Sequence, residues 1–190
     1  MSITEAQPDS ARTREKARRE EPGLKLTPSE SVAILSARSD ELEVLVTYFP
    51  GGPPPRHFHP EQDERFEVVE GTVKVELDGE VRELGAGDSI EIPRGAVHRL
   101  WNPAQGDARA IWRTTPAGRT DQWFRALDAL HREGRTGRDG QPGMLAFGVL
   151  LSEYRDVFRL AGPDLLLRPV FALLATIGRA RGYSATAPES

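Results

Sequence analysis

The stretch GGPPPRHFHPEQDERFEVVEG, residues 51–71, holds two histidines two positions apart and a glutamate five positions further on. In a strand successive side chains point to opposite faces, so His57 and His59 project to one side and Phe58 to the other. The polar segment Pro60-Glu61-Gln62-Asp63 suits a turn. Beyond it Glu64, Phe66 and Val68 share a face, while Arg65 and Glu67 lie on the opposite one. A carboxylate in register with inward apolar residues is costly to bury unless a cation neutralises it. The prolines at 50, 53, 54 and 55 stiffen the approach to the histidine pair.

A second stretch, GDSIEIPRGAVHRLWN at residues 87–102, reads as a strand over 88–92, a turn at Pro93-Arg94-Gly95 and a returning strand over 96–101. Parity places Leu100 and Asn102 on the face of His98. The hairpin therefore brings a third imidazole towards the first two. Three imidazoles and a carboxylate suit one borderline transition ion.

The rest of the chain reads outward from these two segments. Val32–Leu35 and Leu42–Phe49 are expected strands, separated by the polar Arg38-Ser39-Asp40-Glu41 turn. Thr72–Leu77 alternates, with Val73, Val75 and Leu77 on one face and Thr72, Lys74 and Glu76 on the other. Asp78-Gly79 is a strong hairpin signal, Glu80–Leu84 returns, and Ala108–Thr115 ends the series. After Pro116 the pattern turns helical. Thr120-Asp121-Gln122-Trp123 offers a capping start, and Trp123, Phe124, Leu127 and Leu130 are spaced for one face. Further helices are expected over Met144–Leu160 and Asp164–Arg181, the latter opened near Pro163 and interrupted by Pro169.

The spacing G-x5-H-x-H-x4-E-x6-G followed by G-x5-P-x-G-x2-H-x3-N resembles that of the cupin superfamily, and every fixed position of both motifs is present. The resemblance runs from Gly51 to Asn102, and flanking strands extend it from about Gly23 to Thr115. It implies a mainly β fold, a cupin jelly-roll β-barrel, here with a C-terminal helical extension. It also implies that His57, His59, Glu64 and His98 ligate one divalent transition ion: iron, manganese, nickel, copper or zinc. Gly71, Gly87 and Gly95 resemble turn glycines, and Asn102 a residue that supports the end of the barrel. A single motif pair implies one barrel per chain, and such single-barrel proteins often dimerise.

The expected organisation is a flexible charged arm over 1–22, the barrel over 23–116 and the helical extension over 117–190. The chain has 190 residues, a net charge of −4 and no cysteine. Thiolate sites and disulfides are thereby excluded, and a cytoplasmic location is consistent with that lack. The acidic balance, with basic residues mixed among acidic ones, argues against nucleic acid as a partner. The apolar run 169–178 is too short to cross a bilayer. Packing against the barrel or a partner subunit is its favoured use, ahead of attachment to a membrane surface. His131, beside Arg132 and Glu133, is expected to be solvated.

Three functional classes fit these residues. An oxygen-using metalloenzyme of the dioxygenase type, acting on a small organic substrate, leads. Glu64 would be its proton acceptor, with Tyr48, Phe66 and Leu100 as pocket candidates by strand parity. A cyclase, isomerase or lyase needs the same ligands without oxygen, and a non-enzymatic ligand-binding module is the third class.

Overall fold

The computed structural model describes residues 23–185, and the arm expected over 1–22 lies outside them. Eleven strands form two antiparallel sheets. The first contains β1 (Leu24–Thr27), β2 (Glu30–Ala37), β3 (Leu42–Tyr48), β5 (Asp63–Glu70), β8 (Ser89–Ile92) and β10 (Ala108–Thr115), in the order β1-β2-β3-β10-β5-β8. The second contains β4 (His57–Phe58), β6 (Thr72–Leu77), β7 (Glu80–Gly85), β9 (His98–Trp101) and β11 (Arg159–Leu160), in the order β11-β4-β9-β6-β7. The fold is thus a jelly roll of two sheets whose ladders do not close into one continuous barrel.

Burial follows the alternation read from the sequence. Glu64, Phe66 and Val68 on β5 are buried while Arg65 is exposed, and His98, Leu100 and Asn102 are buried together. Asp78 and Gly79 both have positive φ, 49° and 91°, so the β6–β7 hairpin turns tightly as the Asp-Gly pair expects. Glu76 departs from its expected polar face. It is buried because Arg56 and Arg99 both reach its carboxylate, at 2.6 Å. Asn102 ties the barrel end together, donating to the carbonyls of Tyr48 at 3.0 Å and Gly106 at 2.6 Å.

Three helices follow: α1 (Thr120–Arg132), α2 (Met144–Glu153) and α3 (Asp164–Ala180). Trp123, Phe124, Leu127 and Leu130 of α1 are buried, and they share one core with barrel residues such as Leu26, Phe66 and Trp112. Thr120 does not cap this helix. Arg119 holds that position without a side-chain cap, and the Thr120 hydroxyl is buried with no partner. His131 is half-buried rather than solvated, because its Nε2 lies 3.2 Å from the Leu26 carbonyl and ties α1 to β1.

The second helix is shorter than expected. It ends at Glu153, and residues 159–160 form β11 instead, pairing with β4. Arg119 holds the intervening turn by donating to Asp156 at 3.0 Å and to the Glu153 carbonyl at 2.6 Å. The third helix, conversely, runs through Pro169 without interruption. Pro169 lies near its N-terminal end, and Leu165, whose carbonyl loses a donor, is 88% exposed and open to water. The run 169–178 packs on α2 rather than on the sheets. Gly148 and Gly178 permit this approach, since a Cβ on either would lie 2.7 Å from the facing helix. Leu166, Val170 and Leu173 remain exposed. Among the described residues no helix is long and apolar enough to cross a membrane.

Candidate metal centre

The register brings the two histidine motifs together. His57 on β4 and His98 on β9 are direct cross-strand partners, and His59 follows β4 at the turn into β5. The ligand atoms of His57, His59 and His98 all lie within 4.8 Å of one another. Glu64 approaches from the other sheet, with Oε2 3.0 Å from His98 Nε2 and Oε1 3.3 Å from His59 Nε2. It touches two of the three imidazoles and stands outside the tight histidine cluster.

Each imidazole is oriented by a backbone carbonyl. His57 Nδ1 lies 3.1 Å from the Pro55 oxygen, His59 Nδ1 2.5 Å from Val157 and His98 Nδ1 3.0 Å from Ala96. A carbonyl only accepts, so each Nδ1 carries a proton and donates. In a neutral ring Nε2 is then left with a lone pair, free to meet an ion held among the three histidines. Glu64 Oε2 is buried there without a well-directed hydrogen bond, while Oε1 accepts one from Trp112 Nε1 at 3.0 Å. Two atoms each about 2.1 Å from one ion and at right angles to each other stand about 3 Å apart, which matches the Glu64–His98 separation. These residues fit a divalent transition ion.

The electrostatics agree. Burial pushes the His57 pKa well down, with the neighbouring imidazoles adding to it, and burial likewise lowers His59. For His98 the burial effect is outweighed by the adjacent Glu64 carboxylate, and the pKa rises. Burial would raise Glu64, but His59, His98 and Trp112 more than offset it and hold the carboxylate ionised. A cluster that keeps one buried negative charge beside two imidazoles held neutral by burial favours a cation at its centre, which would take the place of the His98 proton.

The histidines form part of the wall of a cavity of about 490 Å³. Tyr48, Phe66 and Leu100 line it, as do Trp112, Trp123 and Phe158, which sequence parity did not single out. Phe158 stacks on His57, with ring centroids 4.6 Å apart, and on Trp123 at 5.1 Å. The C-terminal segment thus supplies both a carbonyl and an aromatic ring to the ligand histidines. Trp112 stands directly opposite the pocket candidate Phe66 in the β10–β5 ladder. Val157 and Phe158 carry no local signal. Glu30 also lines the cavity, whereas Glu64 does not.

The fold and site together define a two-sheet jelly roll with a histidine triad inside it that could hold a metal ion. Residues 44–113, from β3 to β10, match the Cupin domain family, so this part of the chain is a cupin domain. It is 37% identical over 67 residues to polyketide synthase CurC of Streptomyces cyaneus, covering 35% of this chain and 44% of that one. It is 47% identical over 50 residues to oxidoreductase OpS7 of Beauveria bassiana, covering 26% of this chain and 16% of that one. The matches therefore span less than half the length of either relative. Among solved structures, KdgF from Halomonas sp. aligns with a TM-score of 0.46 and 28% identity, over 48% of this chain and 83% of that one.

Proposed function

We propose that this protein is a metal-dependent enzyme of the dioxygenase type that acts on a small, flat, largely apolar substrate bearing an oxygen donor. The carrying observation is the 490 Å³ cavity, walled by aromatic side chains with three imidazoles opening onto it. His57, His59, His98 and Glu64 would hold the ion. Bound there, a divalent transition ion supplies a Lewis acid that stabilises negative charge on a substrate oxygen and, for redox-active metals, a route to O2 chemistry.

The protein's own residues do the remaining work. Trp112, Trp123 and Phe158 offer an aromatic wall against which a planar substrate packs, and they exclude water from it. Trp112 also holds Glu64 by its indole N–H, and the Val157 carbonyl fixes the ring orientation of His59. Glu64, ionised and in contact with two imidazoles, is the proton acceptor of this reading, a role that requires its carboxylate to turn towards the cavity, which it does not line at rest. The homodimer expected of a single-barrel chain belongs to it as well, with the exposed Leu166, Val170 and Leu173 as its contact face. The likeness to a polyketide synthase component favours a second reading, a cyclase, isomerase or lyase that needs no oxygen.

One experiment separates the two. Protein stripped of metal and reloaded with iron, manganese, nickel, copper or zinc is offered a panel of phenolic and polyketide-type aromatics, in air and under argon. Oxygen uptake matching product formation is expected with one redox-active metal. Equal turnover under argon overturns the oxygenase in favour of the second reading. Tight binding without turnover in any metal form overturns both and leaves a ligand-binding module.

A further inference from the structure

Among the described residues, Glu30 is the one acidic residue on the wall of the cavity. It opens β2 and stands directly opposite Tyr48 of β3, on the sheet that does not carry His57 and His98. Side chains of a direct cross-strand pair lie on the same face, so the Glu30 carboxylate and the Tyr48 ring share one patch of wall. Both groups belong to the cavity. Around them the lining is mostly apolar, with Leu26, Leu100, Phe124 and Leu127 beside the polar Thr27 and Gln141. Among the described residues no hydrogen bond or ion pair reaches the Glu30 carboxylate, although Arg38, Arg56, Arg65, Arg94, Arg99 and Arg119 all find acidic partners elsewhere.

A carboxylate facing an apolar cavity without a partner is a cost to the fold. Burial, with the charge of Glu64 second, lifts the Glu30 pKa to about 7, a sign of how poorly the protein itself solvates this group. Tyr48 is likewise pushed well above its ordinary value, by burial first and then by Glu30 and Glu64, so its hydroxyl stays protonated. A second recess of about 10 Å³ shares Thr27, Glu30, Tyr48 and Leu100 with the main cavity. That is room for about one water-sized group.

We propose that Glu30 is a specificity-determining residue: it accepts a hydrogen bond from a hydroxyl or amine on the substrate, at a point separate from the oxygen that meets the histidines, and so selects aromatics carrying a second polar group. This rests on the proposed function, since it concerns the same cavity. A ligand with the donor relieves an unpaired carboxylate. A ligand without it leaves the carboxylate buried and unsatisfied, the situation in which hydrogen-bonding sites discriminate most strongly.

The test is binding, read by calorimetry on zinc-loaded protein with 2,3-dihydroxynaphthalene and its 5- and 6-hydroxy derivatives. At least one derivative is expected to bind about tenfold more tightly than the parent. In Glu30→Leu that gain disappears while the parent binds at least as well, which also shows that the variant is folded. Glu30→Gln, which keeps an uncharged acceptor and nearly the same shape, is expected to retain about threefold and serves if the leucine variant does not fold. A gain that survives intact in both variants, or no gain for either derivative in the wild type, overturns the role of Glu30. If the parent fails to bind, or binds equally to His98→Ala protein without metal, the proposed function fails instead, and this inference falls with it.

Discussion

The cavity has two walls of different origin. One is the barrel, whose β4, β5 and β9 carry or flank the three imidazoles and Glu64. The other is the C-terminal segment, which brings Trp123, Val157 and Phe158 over the same histidines. The barrel wall places the donor atoms and orients His57 and His98 through the Pro55 and Ala96 carbonyls; the C-terminal wall orients His59 and stacks on His57. A centre of this kind depends on chain that contributes no ligand.

The sharpest way to break the comparison is to remove a barrel ligand. His98→Ala is expected to lower metal affinity more than a hundredfold and to leave substoichiometric metal by elemental analysis, because no other described group replaces its Nε2. His57→Ala should behave alike. His131→Ala, whose ring serves the Leu26 carbonyl, should keep full metal. Stoichiometric metal in the His98 variant would contradict the ligand assignment.

Next in size is Phe158→Ala, which tests the other wall while leaving both motifs intact. The ring stacks on His57 at 4.6 Å and meets His59 edge-on at 5.9 Å. Its loss should lower metal affinity about tenfold, the lower end for groups that orient a ligand. Stability should fall by about 2 kcal/mol, less than for a fully buried phenylalanine because Phe158 is only half-buried. Competition titration and urea unfolding read the two effects. Unchanged metal affinity would reduce the C-terminal wall to a lid on the substrate alone.

The same division explains what could be read from the residues beforehand. His57, Glu64 and His98 announce themselves because a strand's period is fixed locally and the intervening turns are written in proline and glycine. Gly71, Gly87 and Gly95, for instance, all adopt positive φ. The C-terminal wall was illegible for a physical reason. Residues 154–160 have a helical apolar spacing, and only the edge of β4, far away in sequence, turns Arg159–Leu160 into a strand. Pro169 misleads in the other sense: it sits inside the helix, and the carbonyl it leaves without a donor belongs to Leu165, which is exposed to water. Thr120 looks like a cap by type, yet Arg119 takes the position because its guanidinium is held by Asp156 and Glu153.

Glu64→Gln sharpens the contrast within the barrel wall itself. The amide keeps the shape and one acceptor but removes the charge that holds His98 up and meets His59. Metal affinity should fall about tenfold, so that saturating metal restores occupancy. Turnover at that occupancy then isolates proton transfer. A fall of about a hundredfold is expected if the carboxylate is the base, and unchanged turnover would remove that role.

The smallest effect expected is on stability, at the cavity carboxylate that neither joins the histidine cluster nor finds a partner within the fold. Glu30 is raised from its ordinary 4.5 to about 7. An acid whose folded pKa lies above its unfolded one binds more protons in the native state across that window. Stability therefore falls as pH rises from about 4.5 to about 7, and the loss is complete above it. Glutamine cannot ionise and escapes the loss. In metal-free protein Glu30→Gln should match the wild type in melting temperature near pH 5 and exceed it at pH 8. Because Glu30 is half-buried and open to the cavity, the gain is expected at about 1 kcal/mol, or ~3 °C for a chain of this size. A variant no more stable than the wild type at pH 8 would mean that the carboxylate is already solvated in the empty cavity. The difference between the walls would then lie wholly in how they hold the histidines.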